Sequence, residues 1–179
     1  MNNEEEKYKE NFSITLNALF DKKEWVKAKE LLESEINKFP NEYFLYTSLA
    51  KVYFNLKQYQ KASEAALMAV SIEPNDPLVV YDYACTLYSL DKYNEAINEW
   101  FKIVNLGVKG ILHGEYNEGI KWTKSIVNDS RFRIAMCYFE MGNKEIARKF
   151  VDDHLKHRQR GIYSDFTKRQ ILKKQHELS

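Results

Sequence analysis

Residues 43–76 read YFLYTSLAKVYFNLKQYQKASEAALMAVSIEPND. Leu45, Leu49, Val52, Tyr53 and Leu56 fall on one face of a helix, at spacings of three and four. Past the polar turn Lys57-Gln58, the same spacing resumes with Tyr59, Ala62, Ala66, Ala69 and Val70. The stretch therefore predicts a helix–turn–helix hairpin. Pro74 closes it, because proline has no amide hydrogen to donate and drives the residue before it out of the α region.

The hairpin repeats, and a repeat decides the architecture before any single element does. Ala28, Ala62 and Ala96 are 34 residues apart, as are the rings of Trp25, Tyr59 and Tyr93. Pro40 and Pro74 keep that period, and so do Ala50 and Ala84. The next matches, Ala84 to Ala135 and Ala96 to Ala147, are 51 apart, one period plus 17. The units are then 9–42, 43–76, 77–110 and 128–161, with an insertion at about 111–127. Small residues such as Ala50 and Ala62 are expected where two helices cross closely, since a longer side chain there would push them apart.

Gly107, Gly110, Gly114 and Gly119 break the pattern around the insertion, for which an ordered loop plus a short helix is expected and a full extra helix is the competitor. Asn128, Asp129 and Ser130 are candidate N-caps for the next helix. A last segment, about 164–178, is expected as a polar helix closing the final apolar face, with Ser164 or Asp165 as its cap.

These residues resemble the tetratricopeptide repeat family. The second unit carries Tyr46, Leu49-Ala50, Tyr53, Ala62, Ala66, Ala69 and Pro74; the third carries Val80, Tyr83-Ala84, Leu87, Ala96, Trp100 and Ile103, with Val108 in the proline's place. The first is looser, with Leu16, Leu19, Ala28, Leu32, Glu35 and Pro40. The fourth has Ile134-Ala135, Tyr138, Gly142, Ala147 and Val151, without the ring or the proline. The resemblance covers about 136 of the 179 residues. It implies an all-α, right-handed α-solenoid of about four repeats with a C-terminal capping helix, as one domain over 1–179. It also implies a non-catalytic adaptor, scaffold or chaperone-like module that binds a partner peptide or helix in a groove lined by the first helix of each repeat.

The groove positions implied by the family are Asn17, then Phe44, Thr47, Lys51 and Phe54, then Tyr81 and Tyr88, and finally Phe132 and Phe139. Aromatic anchors suit an apolar peptide or helix. Phe54, Tyr88 and Phe139 divide evenly between groove and packing roles, which leaves Phe44, Tyr81 and Phe132 as the informative members. The family's clamp for acidic heat-shock chaperone tails needs Lys, Asn and Arg at positions held here by Ser13, Asn17, Ser48, Leu78 and Asp82. Only Asn17 agrees, so no such binding is expected.

Bulk composition sets limits. The chain has a net charge of +1, with −4 over residues 1–110 and +5 over 111–179, and all six arginines lie after position 130. A basic patch of Lys156, Arg158, Arg160, Lys168 and Arg169 gives the alternative reading, binding of nucleic acid or an acidic partner, with nucleic acid disfavoured against an ordinary solvated helix face. Cys85 and Cys137 lack CxxC spacing and are expected as free buried thiols in a cytoplasmic protein. The first ten residues hold no apolar signal core, and no apolar run reaches membrane-span length. His154 and His157 lie three apart beside Asp152 and Asp153 but lack a third ligand, so a solvated helix end is expected there. No catalytic set, metal site or cofactor is expected. The identity of the partner and the oligomeric state are not readable from the residues.

Overall fold

The turn at Lys57 sets a pattern that every hairpin follows. Lys23, Lys57, Asp91 and Gly142 hold φ values of 55°, 59°, 58° and 77°, all left-handed. One residue on, an amide returns to a carbonyl five residues back: Glu24 to Leu19 at 2.9 Å, Gln58 to Tyr53 at 2.9 Å, Lys92 to Leu87 at 3.0 Å and Asn143 to Tyr138 at 2.8 Å. Such a bond satisfies one of the carbonyls that a helix end leaves unpaired, and it needs the left-handed residue before it.

The computed structural model describes residues 3–178, with side chains from Lys7 onward. Among them the chain forms nine α-helices and no strand: α1 (Asn3–Asp21), α2 (Trp25–Lys38), α3 (Tyr43–Asn55), α4 (Tyr59–Ile72), α5 (Pro77–Tyr88), α6 (Tyr93–Leu112), α7 (Ile120–Glu140), α8 (Lys144–His157) and α9 (Lys168–Glu177). They pair in sequence as four hairpins, followed by α9. The fold class is an all-α, tetratricopeptide-like solenoid. Its contacts form two compact units, divided between Ile72 and Glu73.

The first unit, α1–α4, has a core of small residues. Ala28, Ala62, Ala66 and Ala69 are buried together with Leu16, Leu32, Leu45, Leu49 and Val52. Alanine at these crossings lets helix backbones approach closely, as the period implied. A charged residue is buried among them: both oxygens of Glu35 accept from the Tyr8 hydroxyl, at 2.7 and 2.9 Å, which ties α1 to α2. Lys38 donates to the same carboxylate at 3.2 Å.

The second unit, α5–α9, has a heavier core. Trp100, Leu87, Ile103, Ile111, Ile134 and Val127 are fully buried, with Ala84, Ala96, Ala135 and Ala147 at the crossings. Where the first two hairpins exit through proline, α6 breaks at Gly107, whose φ of 65° and ψ of 178° lie in a region open essentially to glycine alone. The chain then continues as a helical stub that buries Ile111.

The 17 additional residues are neither a loop with a short helix nor a separate helix. They are shared between the end of α6, a loop over 113–119, and the first two turns of α7, which runs unbroken from Ile120 to Glu140. Asn128, Asp129 and Ser130 are therefore not caps but buried mid-helix residues. The reason is visible in the apolar spacing, because Thr123, Ile126, Val127 and Ile134 form one buried stripe with Ser130, whose hydroxyl donates back to the Ile126 carbonyl at 2.7 Å. The last helix also starts later than expected. Thr167, not Ser164 or Asp165, caps α9, in a reciprocal box with Gln170.

Candidate binding face on α5 and α7

Buried polar residues in the middle of a helix need partners, and those of α7 find them in the C-terminal segment. The Asp129 carboxylate accepts from the Ser164 hydroxyl at 2.6 Å and from the Asp165 amide at 2.8 Å. Burial raises the Asp129 carboxyl above its ordinary value, against the lowering effect of these two bonds. Four residues along the helix, Arg133 donates through Nε to the Tyr81 hydroxyl at 3.2 Å, and Tyr81 in turn donates to Asp165 at 3.1 Å. The Arg133 guanidinium lies 4.8 Å from the centre of the Phe166 ring, and Phe166 sits 4.5 Å from Phe132, centre to centre. Residues 162–167 thus form a strap with no regular secondary structure, seated across α5 and α7.

This seat changes the standing of two groove residues. Tyr81 and Phe132 are only 7% and 3% exposed, so neither is presented to a partner in this structure. The strap touches both, Tyr81 through Asp165 and Phe132 through Phe166, while Tyr81 also packs on Trp100 and Phe132 on His154. Burial holds the Tyr81 hydroxyl well above the usual tyrosine range. Beside the strap a cavity of about 300 Å³ remains open, lined by Tyr88, Met136, Gln170, Lys173, Lys174 and Glu177 along with the seat residues. Its lining mixes apolar side chains with Lys173 and Lys174, both of which pair with Glu177, at 3.9 and 2.7 Å.

The aromatics at the twelfth position of the first three units are hairpin clasps. Phe20 meets Trp25 at 5.7 Å, Phe54 meets Tyr59 at 5.3 Å, and Tyr88 meets Tyr93 at 5.5 Å. Tyr88 is half-buried, also against Trp100, whereas Phe54 remains 40% exposed. Phe139 has no ring ahead of it and is covered instead by the Lys174 ammonium at 3.6 Å.

On the first unit the face of α1 and α3 is open. Phe44 is 38% exposed, edge-on to Phe12 at 6.4 Å, and Asn17 is exposed as well. Lys51 is exposed with its ammonium 4.6 Å from the Phe20 ring, while the half-buried Thr47 donates to the Phe44 carbonyl of its own helix. Tyr8, Phe12, Phe39 and Phe44 line a small apolar hollow at the α1 side of this unit.

The basic patch is only partly assembled. Arg158, Arg160 and Lys168 share the wall of an open cavity of about 460 Å³ with Leu155, Gln159 and Ile162. Lys156 and Arg169 are exposed but do not line it.

The remaining chemistry-bearing residues are placed as follows. Among the described residues no group of three or more His, Cys, Asp or Glu is arranged to hold a metal ion. His154 is not at a solvated helix end: it is fully buried, with Nδ1 2.8 Å from the Asn128 carbonyl, while His157 is exposed beside Asp153. Both cysteines are free, and burial pushes their thiols up to about 12, far from a reactive thiolate near neutrality. No described helix is long and apolar enough to cross a membrane.

Comparison with known proteins agrees with the fold. Tetratricopeptide repeat families match residues 45–76, 80–102 and 129–150. Three solved structures share the fold. BtubC (BKLC) from P. vanneervenii has a TM-score of 0.73 at 14% identity, over 94% of this chain and 70% of that one. MamA (41-end) from Desulfovibrio magneticus RS-1 has 0.67 at 11%, over 83% and 74%. PilW, a type IV pilus biogenesis factor, has 0.64 at 16%, over 82% and 60%. Comparison of the sequence with curated proteins returns no match. Tetratricopeptide repeat models thus match three of the chain's four hairpins, which supports a tetratricopeptide repeat protein.

Proposed function

We propose that this protein is a non-catalytic adaptor or chaperone-like module that holds a segment of a partner protein on the first-helix faces of its hairpins. The observation that carries the reading is the α5–α7 face, which already holds an irregular stretch of chain through side-chain and main-chain contacts and keeps an open cavity beside it. The exposed Phe44 and Phe54 rings on α3 support the same use of the first unit. The free thiols support a reducing, cytoplasmic setting.

The test is affinity capture with the full chain and three surface variants. Phe44→Ala with Lys51→Ala alters the α3 face, and Met136→Ala with Gln170→Ala alters the cavity. Leu67→Ala with Met68→Ala alters exposed residues of the second helix α4 and serves as the control. Loss of captured proteins in either face variant but not in the control supports the reading. Identical capture by all three overturns it.

A second reading rests on Arg158, Arg160 and Lys168 around their open cavity, with no carboxylate paired to any of them among the described residues. Such a site suits an acidic partner segment. Binding through it would weaken steeply with salt, and Arg158→Ala with Arg160→Ala would abolish that salt dependence.

A further inference from the structure

The strap is a peptide already docked on this protein, and its side chains show what the seat reads. Asp129 takes a hydroxyl and the following main-chain amide, from Ser164 and Asp165. Tyr81 and Arg133 face the carboxylate of Asp165, with Arg133 Nη2 at 3.8 Å. The ring of Phe166 lies 4.5 Å from that of Phe132, tilted by 55°, and 4.8 Å from the Arg133 guanidinium. All four receptor residues come from α5 and α7, and Asp129, Phe132 and Arg133 lie on one face of α7 at i, i+3 and i+4.

The strap is held mainly by side chains, including a bond from Lys124 of α7 to the Gln159 side chain at 3.0 Å. Its backbone makes local turn bonds, Arg158 to Leu155 and Ile162 to Gln159, and a single amide bond to the seat. Both of its ends run into packed helices, with Phe166 itself against the cluster that holds Ile171 and Leu178. α8 is packed through the buried Val151 and His154, and α9 through Ile171 and Leu178. The ten residues 158–167 can therefore lift off as a loop while α9 stays in place, the kind of local opening that costs less than global unfolding. The cavity beyond Phe166 adds contacts that the strap leaves unused, on Tyr88 and Met136.

We propose that the α5–α7 seat binds a partner segment with a hydroxyl, an acidic and an aromatic residue in consecutive positions, and that residues Ser164–Phe166 are a tethered stand-in which such a segment displaces. The inference rests on the first-helix faces being the binding surface. It specifies the chemistry of the partner and makes the strap a competitor. A tethered competitor acts at an effective concentration set by its short linkers, so it suppresses weak segments and admits those that also fill the cavity.

The probe is a fluorescein-labelled peptide with the sequence of residues 160–168, RGIYSDFTK, titrated into the full chain. Wild type is compared with Asp165→Ala/Phe166→Ala, in which the strap is weakened and the seat is intact. The variant is expected to bind the peptide at least about tenfold more tightly than wild type. A peptide with its Asp and Phe replaced by Ala is expected not to bind. Equal affinity in the two proteins, or equal binding of the two peptides, overturns the proposal. Helical content by circular dichroism and hydrogen exchange at Ile171 establish that α9 remains docked in the variant. In wild type, the Asp165 amide is expected to exchange faster than that of Ile171; exchange of the two at one common rate shows a strap that cannot open alone, and also overturns it. If affinity capture succeeds through the first-helix faces while the peptide does not bind, the strap inference alone falls.

Discussion

The ammonium of Lys174 lies 3.6 Å from the centre of the Phe139 ring, whereas the corresponding ring of each of the three preceding hairpins meets a second ring. The fourth hairpin has Lys144 where Trp25, Tyr59 and Tyr93 stand in the others, so its clasp is completed by α9. Lys174 also pairs with Glu177 at 2.7 Å and is mostly buried. Replacing it with alanine is expected to lower the stability of the second unit by about 1 kcal/mol, the worth of a partly desolvated cation–π contact. Arginine at 174 should retain most of it. Urea denaturation of the two variants checks this.

The left-handed turn residues give a prediction in both directions. A non-glycine residue in that conformation costs about 1–2 kcal/mol, and three of the four hairpins bear the cost at Lys23, Lys57 and Asp91. Gly142→Ala is therefore expected to destabilise by about 1 kcal/mol, although no atom stands within 4 Å of where its Cβ would be. Lys57→Gly should stabilise by a smaller amount, because glycine also gains freedom in the unfolded chain. Thermal denaturation of both variants is the measurement. A loss in Lys57→Gly would mean that the lysine side chain contributes more than its backbone costs.

The buried His154 makes the second unit sensitive to acid. Burial lowers its pKa from the ordinary 6.5, assisted by Arg158 and Arg131 and opposed by the Asn128 carbonyl and Asp153. The unfolded chain therefore takes up a proton before the folded one does. Stability is complete above the ordinary histidine value and falls as the pH drops through it toward the lowered folded value. The urea midpoint is expected to be lower at pH 5.5 than at pH 7.5, and the difference should shrink in His154→Gln. An unchanged difference would locate the pH sensitivity elsewhere.

The contact between Asp129 and Ser164 is open to a double-mutant cycle. Asp129→Ala leaves the Ser164 hydroxyl and the Asp165 amide without their acceptor, while Ser164→Ala removes one donor. A coupling of about 1 kcal/mol is expected, below the usual worth of a charged hydrogen bond because the strap borders solvent. A coupling near zero would show that the strap is not held by this carboxylate.

The hairpins were legible because their determinants are local and periodic. Ala28, Ala62, Ala96 and Ala147 mark the helix crossings and are all fully buried. Three of the four second helices begin at the repeated ring. The strap was not legible, because its determinants are non-local: Asp129 and Ser164 are 35 residues apart, and Tyr81 and Asp165 are 84 apart. The run Asn128-Asp129-Ser130 has the composition of a helix start, and only the continuous stripe from Thr123 through Ile134 betrays a helix interior. Tyr81 and Phe132 likewise occupy the expected groove positions, but sequence period alone does not show which groove a chain fills with its own residues.

Site-specific photo-crosslinking tests the account most directly. A benzophenone amino acid is placed at Lys51 on α3, at Met136 in the α7 cavity, and at Met68 on α4 in the full chain, each exposed or bordering an open space. The account predicts adducts to the same partner protein from position 51 or 136 and none from 68. Adducts formed only at 68, or equally at all three, would contradict a first-helix binding face.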